Sequence, residues 1–138
     1  MLAVDGSEQA ARAATVAYEI AEMTKSELHI IHVIPIPAVH QISIMTGDDE
    51  KTIKEKYAGN GRKLLDGYKT AAEEYGIKVE LILEEGLPSE RIVTYANSSG
   101  IDLVVMGARV ASTDKKRRPI GSATERVIEG TDCPVLAV

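Results

Sequence analysis

The sequence has little of what disulfide-linked, membrane-spanning or secreted proteins need. Its 138 residues include a single cysteine, Cys133, so no disulfide can form within the chain, and a reducing compartment is the simpler expectation. No apolar run approaches the ~20 residues that a membrane helix requires, and prolines and histidines interrupt the longest candidate, Leu28–Val39. The opening residues MLAVDGSE lack the basic and long apolar regions of a signal peptide. We therefore expect a cytoplasmic protein that does not associate with membranes.

Signatures of catalysis and metal binding are also missing. The chain has no GxxxxGK[ST] motif, no GxGxxG motif and no Ser/His/Asp set at a credible spacing. His29 and His32 are three residues apart in a predicted strand, so their rings should point to opposite faces. That geometry favours structural histidines over paired zinc ligands. We predict no catalytic residue and no metal site.

Charge is distributed unevenly along the chain. The 16 basic and 21 acidic residues give a net charge of −5, and an acidic domain is a poor binder of nucleic acid or anionic membranes. Residues 107–121 are the exception, with five cationic side chains and one aspartate. Lys115–Arg118 form either a solvated loop tip or a source of positive charge for a bound phosphate.

The pattern of apolar residues predicts one α/β domain over residues 1–138, a length typical of a single domain. Runs rich in isoleucine and valine alternate with helical spacing, which predicts parallel strands joined by right-handed crossovers. We expect a five-stranded parallel sheet with helices on both faces. The predicted strands are Met1–Val4, Leu28–Ile36, Val79–Leu83, Leu103–Met106 and Val135–Val138, and the helices are Ala10–Met23, Ile53–Tyr75, Pro88–Ser98 and Ser122–Glu129. Either strand one is short, or some N-terminal residues are absent.

Two segments have the character of a binding site. Ala3–Ser7 follows strand one, and Met106–Arg109 leads through a basic loop to Gly121–Thr124 at a helix start. In open parallel sheets, ligands bind beyond the carboxyl ends of the strands, where the strand order reverses. The free N–H groups and dipole of a helix start favour an anion there. Together these features predict a phosphate site.

Each of these features also has a purely structural interpretation. Ser122 and Glu125 fit a capping box, Gly107 fits a tight turn, and Asp5 fits a hydrogen-bonded Asx turn. The phosphate prediction depends on their combination.

Six segments together resemble the universal stress protein family over nearly the whole chain. The resemblance implies the same α/β fold with strand order 3-2-1-4-5. It also implies ATP binding, which many members show through a G-x2-G-x9-G-[ST] pattern, and homodimers that pair their last strands. The segments are LAVDGSE at 2–8, LHIIHVIP at 28–35, GLPSERIVTYA at 86–96, IDLVVMGAR at 101–109, GSATERVI at 121–128 and CPVLAV at 133–138.

The glycine pattern is kept in part. Gly107 and the pair Gly121-Ser122 match, but Val110 stands where the second glycine is expected. Ten residues, Ala111–Ile120, follow that position instead of nine. Valine is a poor substitute where a positive φ or a close ligand approach is needed.

The resemblance implies a set of ligand-binding residues and a partner. The implied ligand is ATP, alone or with Mg²⁺. The implied partner is a second copy of the chain, paired through Val135–Val138. Two alternatives stay open: a dimeric interaction protein without nucleotide, which Val110 favours, and a slow ATPase, for which we see no positioned general base or metal ligand. Adenine and ribose contacts are implied for Ala3, Asp5 and the backbone of Val33, and phosphate contacts for Gly107, Arg109, Gly121, Ser122 and Thr124.

Overall fold

Strands and helices alternate along the chain in a computed structural model that describes residues 1–108 and 120–138. The five strands are parallel and lie in the order β3-β2-β1-β4-β5. The fold class predicted from the apolar pattern is thereby confirmed, together with the strand order that the resemblance implied. The elements are β1 Leu2–Ala3, α1 Glu8–Thr24, β2 Leu28–Pro35, α2 Ile36–Thr46, α3 Glu50–Glu73, β3 Val79–Gly86, α4 Pro88–Ser98, β4 Val104–Met106, α5 Ser122–Gly130 and β5 Val135–Ala137.

Helices cover both faces of the sheet. One apolar cluster joins α1 and α3 to one face, and a second joins α4 and α5 to the other. Small side chains let α1 lie close to the strands, and burying its apolar face stabilises the fold at about 25 cal/mol per Å². The buried face of α1 consists of Ala10, Ala13, Ala14, Ala17, Tyr18 and Ala21. Among the described residues, no helix is both long and apolar enough to span a membrane.

Helix α2 was not predicted, because the sequence analysis assigned no helix after the prolines that end β2. Pro37 occupies the first turn of α2, where the backbone N–H has no intrahelical partner and proline is tolerated. Val39 then packs against Ile34 and Ile53 in a small third cluster. Proline begins a helix here as well as ending a strand, so its presence alone did not reveal α2.

His29 and His32 point to opposite faces of the sheet, as predicted. The His32 ring lies on the α3 side, where its Nδ1 donates to the Val4 carbonyl at 2.8 Å. This bond ties the end of β1 to β2. His29 faces α4 instead, with its Nδ1 2.8 Å from the Tyr95 hydroxyl. The structural interpretation is therefore correct for His32.

Gly61 on α3 lies directly against the His32 ring. A Cβ at this position would be 2.8 Å from His32 Cδ2 and 3.1 Å from Leu83 Cδ1. We expect Gly61→Ala to lower the free energy of unfolding by at least ~1 kcal/mol, the usual cost of overpacking. At Gly67, on the same helix, a Cβ would meet nothing within 4 Å. Gly67→Ala should therefore raise the free energy of unfolding by about 0.5–1 kcal/mol. Urea denaturation of both variants measures the difference, and equal stabilities would contradict the assigned packing.

Candidate functional site

The strand order reverses at β1, and beyond the carboxyl ends of β1 and β4 lies the place where open parallel sheets form a ligand-binding crevice. Strand β1 lies between β2 and β4 and ends two residues before Asp5. The Val4 N–H donates to the Ile31 carbonyl at 3.0 Å, while β2 continues to Pro35. Strand β2 therefore extends past the end of β1. Open parallel sheets bind ligands at this carboxyl edge.

Two of the predicted adenine-side residues are largely buried. Ala3 and Val33 are 8% and 6% exposed and belong to the apolar cluster beneath α4 and α5. Asp5 is exposed, and its Oδ1 accepts from the Ser7 N–H at 2.9 Å. Ser7 in turn caps α1, with its Oγ accepting from the Ala10 N–H at 3.1 Å. The Asx-turn interpretation of Asp5 is thereby confirmed, and one carboxylate oxygen is used by the turn.

Gly107 is required by close packing against the first turn of α1. A Cβ at Gly107 would lie 2.9 Å from Gln9 Cβ and 3.2 Å from the Gln9 carbonyl carbon. The Gly107 carbonyl accepts a hydrogen bond from the Thr124 hydroxyl at 2.8 Å. Since Thr124 is only 4% exposed, this bond fixes α5 to the end of β4. The sequence carried no signal for the contact with Gln9.

Helix α5 begins with an open amino terminus. Its N-cap is Gly121, with φ −63° and ψ 143°, and no side chain in the described part of the structure caps the helix. The predicted capping box was wrong, because Ser122 is already the first helical residue and is exposed. A bond from the Gly121 N–H to the Ala108 carbonyl at 3.0 Å accompanies the extended conformation that an N-cap requires. The N–H groups of the first turn and the positive end of the helix dipole therefore face the crevice without a side-chain cap.

The two ends of the basic loop meet at this place. Besides the Gly121–Ala108 bond, the Ala108 N–H donates to the Val138 carbonyl at 2.8 Å. Ala108, which sequence reasoning missed, thus links β5, β4 and the start of α5 through its backbone alone. Arg109, Val110 and Lys115–Arg118 lie outside the described residues.

The structure brings most of the described site residues to one edge of the sheet. Gly107 and Thr124 are in direct contact, Gly121 and Ser122 begin the same helix, and Asp5 lies two residues beyond the end of the neighbouring strand. Two cavities of roughly 450 and 470 Å³ lie elsewhere, at the amino ends of the strands and between α1 and α3. None of the predicted site residues lines them.

Comparison with known proteins places the fold in a family. The family model for the universal stress protein family matches residues 1–138. The universal stress protein MJ0531 of Methanocaldococcus jannaschii is 33% identical over 138 residues, covering all of this chain and 79% of the relative. YxiE, a universal stress protein of Bacillus subtilis, is 34% identical over 146 residues, covering all of this chain and 96% of the relative.

Solved structures give the same result. That of the hypothetical protein MJ0577 superimposes with a TM-score of 0.84 at 28% identity, covering 99% of this chain and 92% of that one. A universal stress protein in complex with cAMP has a TM-score of 0.72 at 24% identity, with 99% and 93% covered. One from Archaeoglobus fulgidus in complex with dAMP has a TM-score of 0.66 at 23% identity, with 98% and 92% covered. With the family match extending from the first residue to the last, this chain belongs to the universal stress protein family.

Proposed function

We propose that this protein is a cytoplasmic regulator that binds an adenine nucleotide, ATP foremost, in the crevice at the carboxyl ends of β1 and β4. The observation that carries the proposal is the uncapped start of α5, held beside Gly107 by the Gly121–Ala108 and Thr124–Gly107 hydrogen bonds. A helix start of this kind attracts a phosphate through its free N–H groups and its dipole.

The phosphate contacts are proposed for the backbone N–H and hydroxyl of Ser122. The Gly121 N–H is already used by the Ala108 carbonyl, so Gly121 contributes by its lack of a side chain, which leaves room for a close approach. Thr124 donates its hydroxyl proton to Gly107, and a direct phosphate contact would require that hydroxyl to turn away. Arg109 is proposed from the family resemblance alone, and Mg²⁺ would be carried by the phosphates.

The base and ribose are proposed to lie toward β1 and β2. Ala3 and Val33 share one apolar cluster. Asp5 lies two residues beyond Ala3 along the direction of β1, so the three residues can border one pocket. The cAMP and dAMP bound by two structural neighbours support an adenine ligand in this fold. Those neighbours are under 25% identical, so their support extends to the fold and not to single contacts.

The alternative is a dimeric interaction protein that binds no nucleotide. Val110 at the position of a family glycine favours it. In both cases we propose a homodimer through Val135–Val138, in which Leu136 and Val138 expose 37% and 36% of their surface. We propose no turnover: the Asp5 carboxylate accepts from the Ser7 N–H in a turn, and none of the described site residues is positioned as a general base.

Calorimetric titration of the full chain distinguishes these functions. ATP with MgCl₂ should bind with one site per chain and more tightly than adenosine, because the helix start contributes only to phosphate binding. Denaturing the purified protein and separating the released material by anion exchange tests for nucleotide carried through purification. No heat with ATP and no released nucleotide would favour the alternative without nucleotide.

A further inference from the structure

Glu27, His29 and Glu80 form a cluster at the amino ends of β2 and β3, at the other end of β2 from the nucleotide crevice. The strand register places His29 directly opposite Glu80. Glu27 precedes His29 by two residues, the spacing that puts two side chains on the same face of an extended chain. The parallel pairing of β2 with β3 therefore brings the three side chains together.

The distances in this cluster suit a metal ion better than direct hydrogen bonds. His29 Nε2 lies 3.4 Å from Glu27 Oε1 and 3.5 Å from Glu80 Oε2, whereas N–H···O bonds are usually about 2.7–3.2 Å long. Ligands bound tetrahedrally to Zn²⁺ at roughly 2.0–2.2 Å are about 3.3–3.6 Å apart. All three ligand atoms lie within 4.8 Å of one another. One ion between them could reach each atom with small side-chain movements.

Tyr95 on α4 orients the histidine from outside the cluster. Its hydroxyl lies 2.8 Å from His29 Nδ1, so Nε2 is directed at the two carboxylates. A metal-binding histidine usually donates its second ring N–H to an oxygen; here Nδ1–H would donate to the Tyr95 hydroxyl oxygen, which leaves Nε2 free for the ion.

We propose that Glu27 Oε1, His29 Nε2 and Glu80 Oε2 form a Zn²⁺ site, with water in the fourth position. The imidazole favours zinc over Mg²⁺ and Ca²⁺, which prefer oxygen ligands. Lys78 Nζ lies 3.8 Å from the other oxygen of Glu27, so it leaves Oε1 to the ion. Glu27 and His29 also line the cavity of roughly 450 Å³ at the amino ends of the strands, which gives the ion a path from solvent. The ion would join β2 to β3.

Titration of the untagged full chain with ZnCl₂ tests this site. We expect one Zn²⁺ per chain with a dissociation constant below ~100 μM, a rise in thermal midpoint with zinc, and no binding of MgCl₂ at millimolar concentration. His29→Gln and Glu80→Gln should each weaken zinc binding at least ~10-fold, since even the loss of an outer partner typically costs 10–100-fold. Tyr95→Phe, which removes only the hydroxyl, should weaken it by a similar factor of about 10.

Two control variants separate this site from its surroundings. Glu84→Gln removes the same charge from β3 at an even spacing from Glu80, about 13 Å further along the strand, and should bind zinc as the unmodified chain does. His40→Gln removes the histidine that contacts Glu50 elsewhere on the surface and should also leave binding unchanged. The proposal is overturned if the unmodified chain does not bind zinc, if His29→Gln and Glu80→Gln bind it normally, or if His40→Gln abolishes binding. None of these outcomes bears on ATP, so the nucleotide proposal is tested separately.

Discussion

Replacing Ser122 with glutamate is expected to reduce ATP affinity at least ~30-fold while the protein stays folded. Ser122 is exposed at the first position of α5, where a carboxylate favours the helix by about 0.3–1 kcal/mol. The same carboxylate would repel a phosphate at the helix start. Two unit charges 4 Å apart interact by about 4 kcal/mol at an effective dielectric constant of 20, and half of that value corresponds to ~30-fold.

The matched control is Ser122→Gln, because glutamine has the shape of glutamate without its charge. This variant should bind ATP within a few-fold of the unmodified protein. Adenosine affinity should be unchanged in both variants, since adenosine has no phosphate. Gly121→Val is a second probe: its φ of −63° is accessible to valine, so a loss of binding would reflect blocked approach of the ligand. If Ser122→Glu and a folded Gly121→Val both bind ATP normally, the phosphates do not lie at this helix start.

Replacing Ala137 with proline is expected to convert a homodimer into folded monomers. The backbone of β5 alternates in direction: the N–H and carbonyl of Val138 both bond to the β4 side, and the Pro134 carbonyl accepts from Val104. The intervening odd-numbered residues, among them Ala137, therefore present their N–H and C=O groups to the open edge. Proline at Ala137 would remove a donor that the proposed pairing with a second copy would use, and proline is tolerated on an edge strand in that orientation.

Light scattering at tens of micromolar measures the result. The unmodified protein should have twice the 14.9 kDa mass of one chain, and Ala137→Pro should have the mass of one. Ala137→Val, which keeps the N–H, should remain dimeric. Leu136→Pro would instead remove a donor toward β4 and should lower stability. An unmodified protein that is monomeric, or an Ala137→Pro protein that is folded and dimeric, would contradict pairing through β5.

The fold could be predicted because its signals are local and repeated. The alanine spacing of α1 and the isoleucine-rich run of β2 each carry their own period, and their alternation restricts the topology to a parallel sheet. Helix α4 was predicted with the bounds that it has, Pro88–Ser98. Helix α2 was missed because proline both ends strands and begins helices, and only the packing of Val39 against Ile34 and Ile53 distinguishes the two outcomes.

The site was predictable as a region but not as a set of contacts. Sequence motifs indicated that Gly107, Gly121 and Ser122 belong together, whereas nothing in the sequence indicated that Gly107 packs against Gln9 or that Ala108 closes the loop. The capping-box prediction failed for a similar reason. The N-cap is the residue with an extended backbone just before the helix, and that residue is Gly121. The backbone bond from Gly121 to Ala108 connects residues 13 positions apart, and a local motif does not contain that information.

The sequence by itself determined the alternation of strands and helices and the family, because these follow from local periodicity and from short motifs read in order. Only the tertiary structure decided which side chains meet. The register of β2 against β3 places His29 opposite Glu80, and α4 places Tyr95 behind the same ring. These contacts join residues 51 and 66 positions apart in the chain. Their partners are selected by sheet pairing and by close packing of the core, which act across the whole fold.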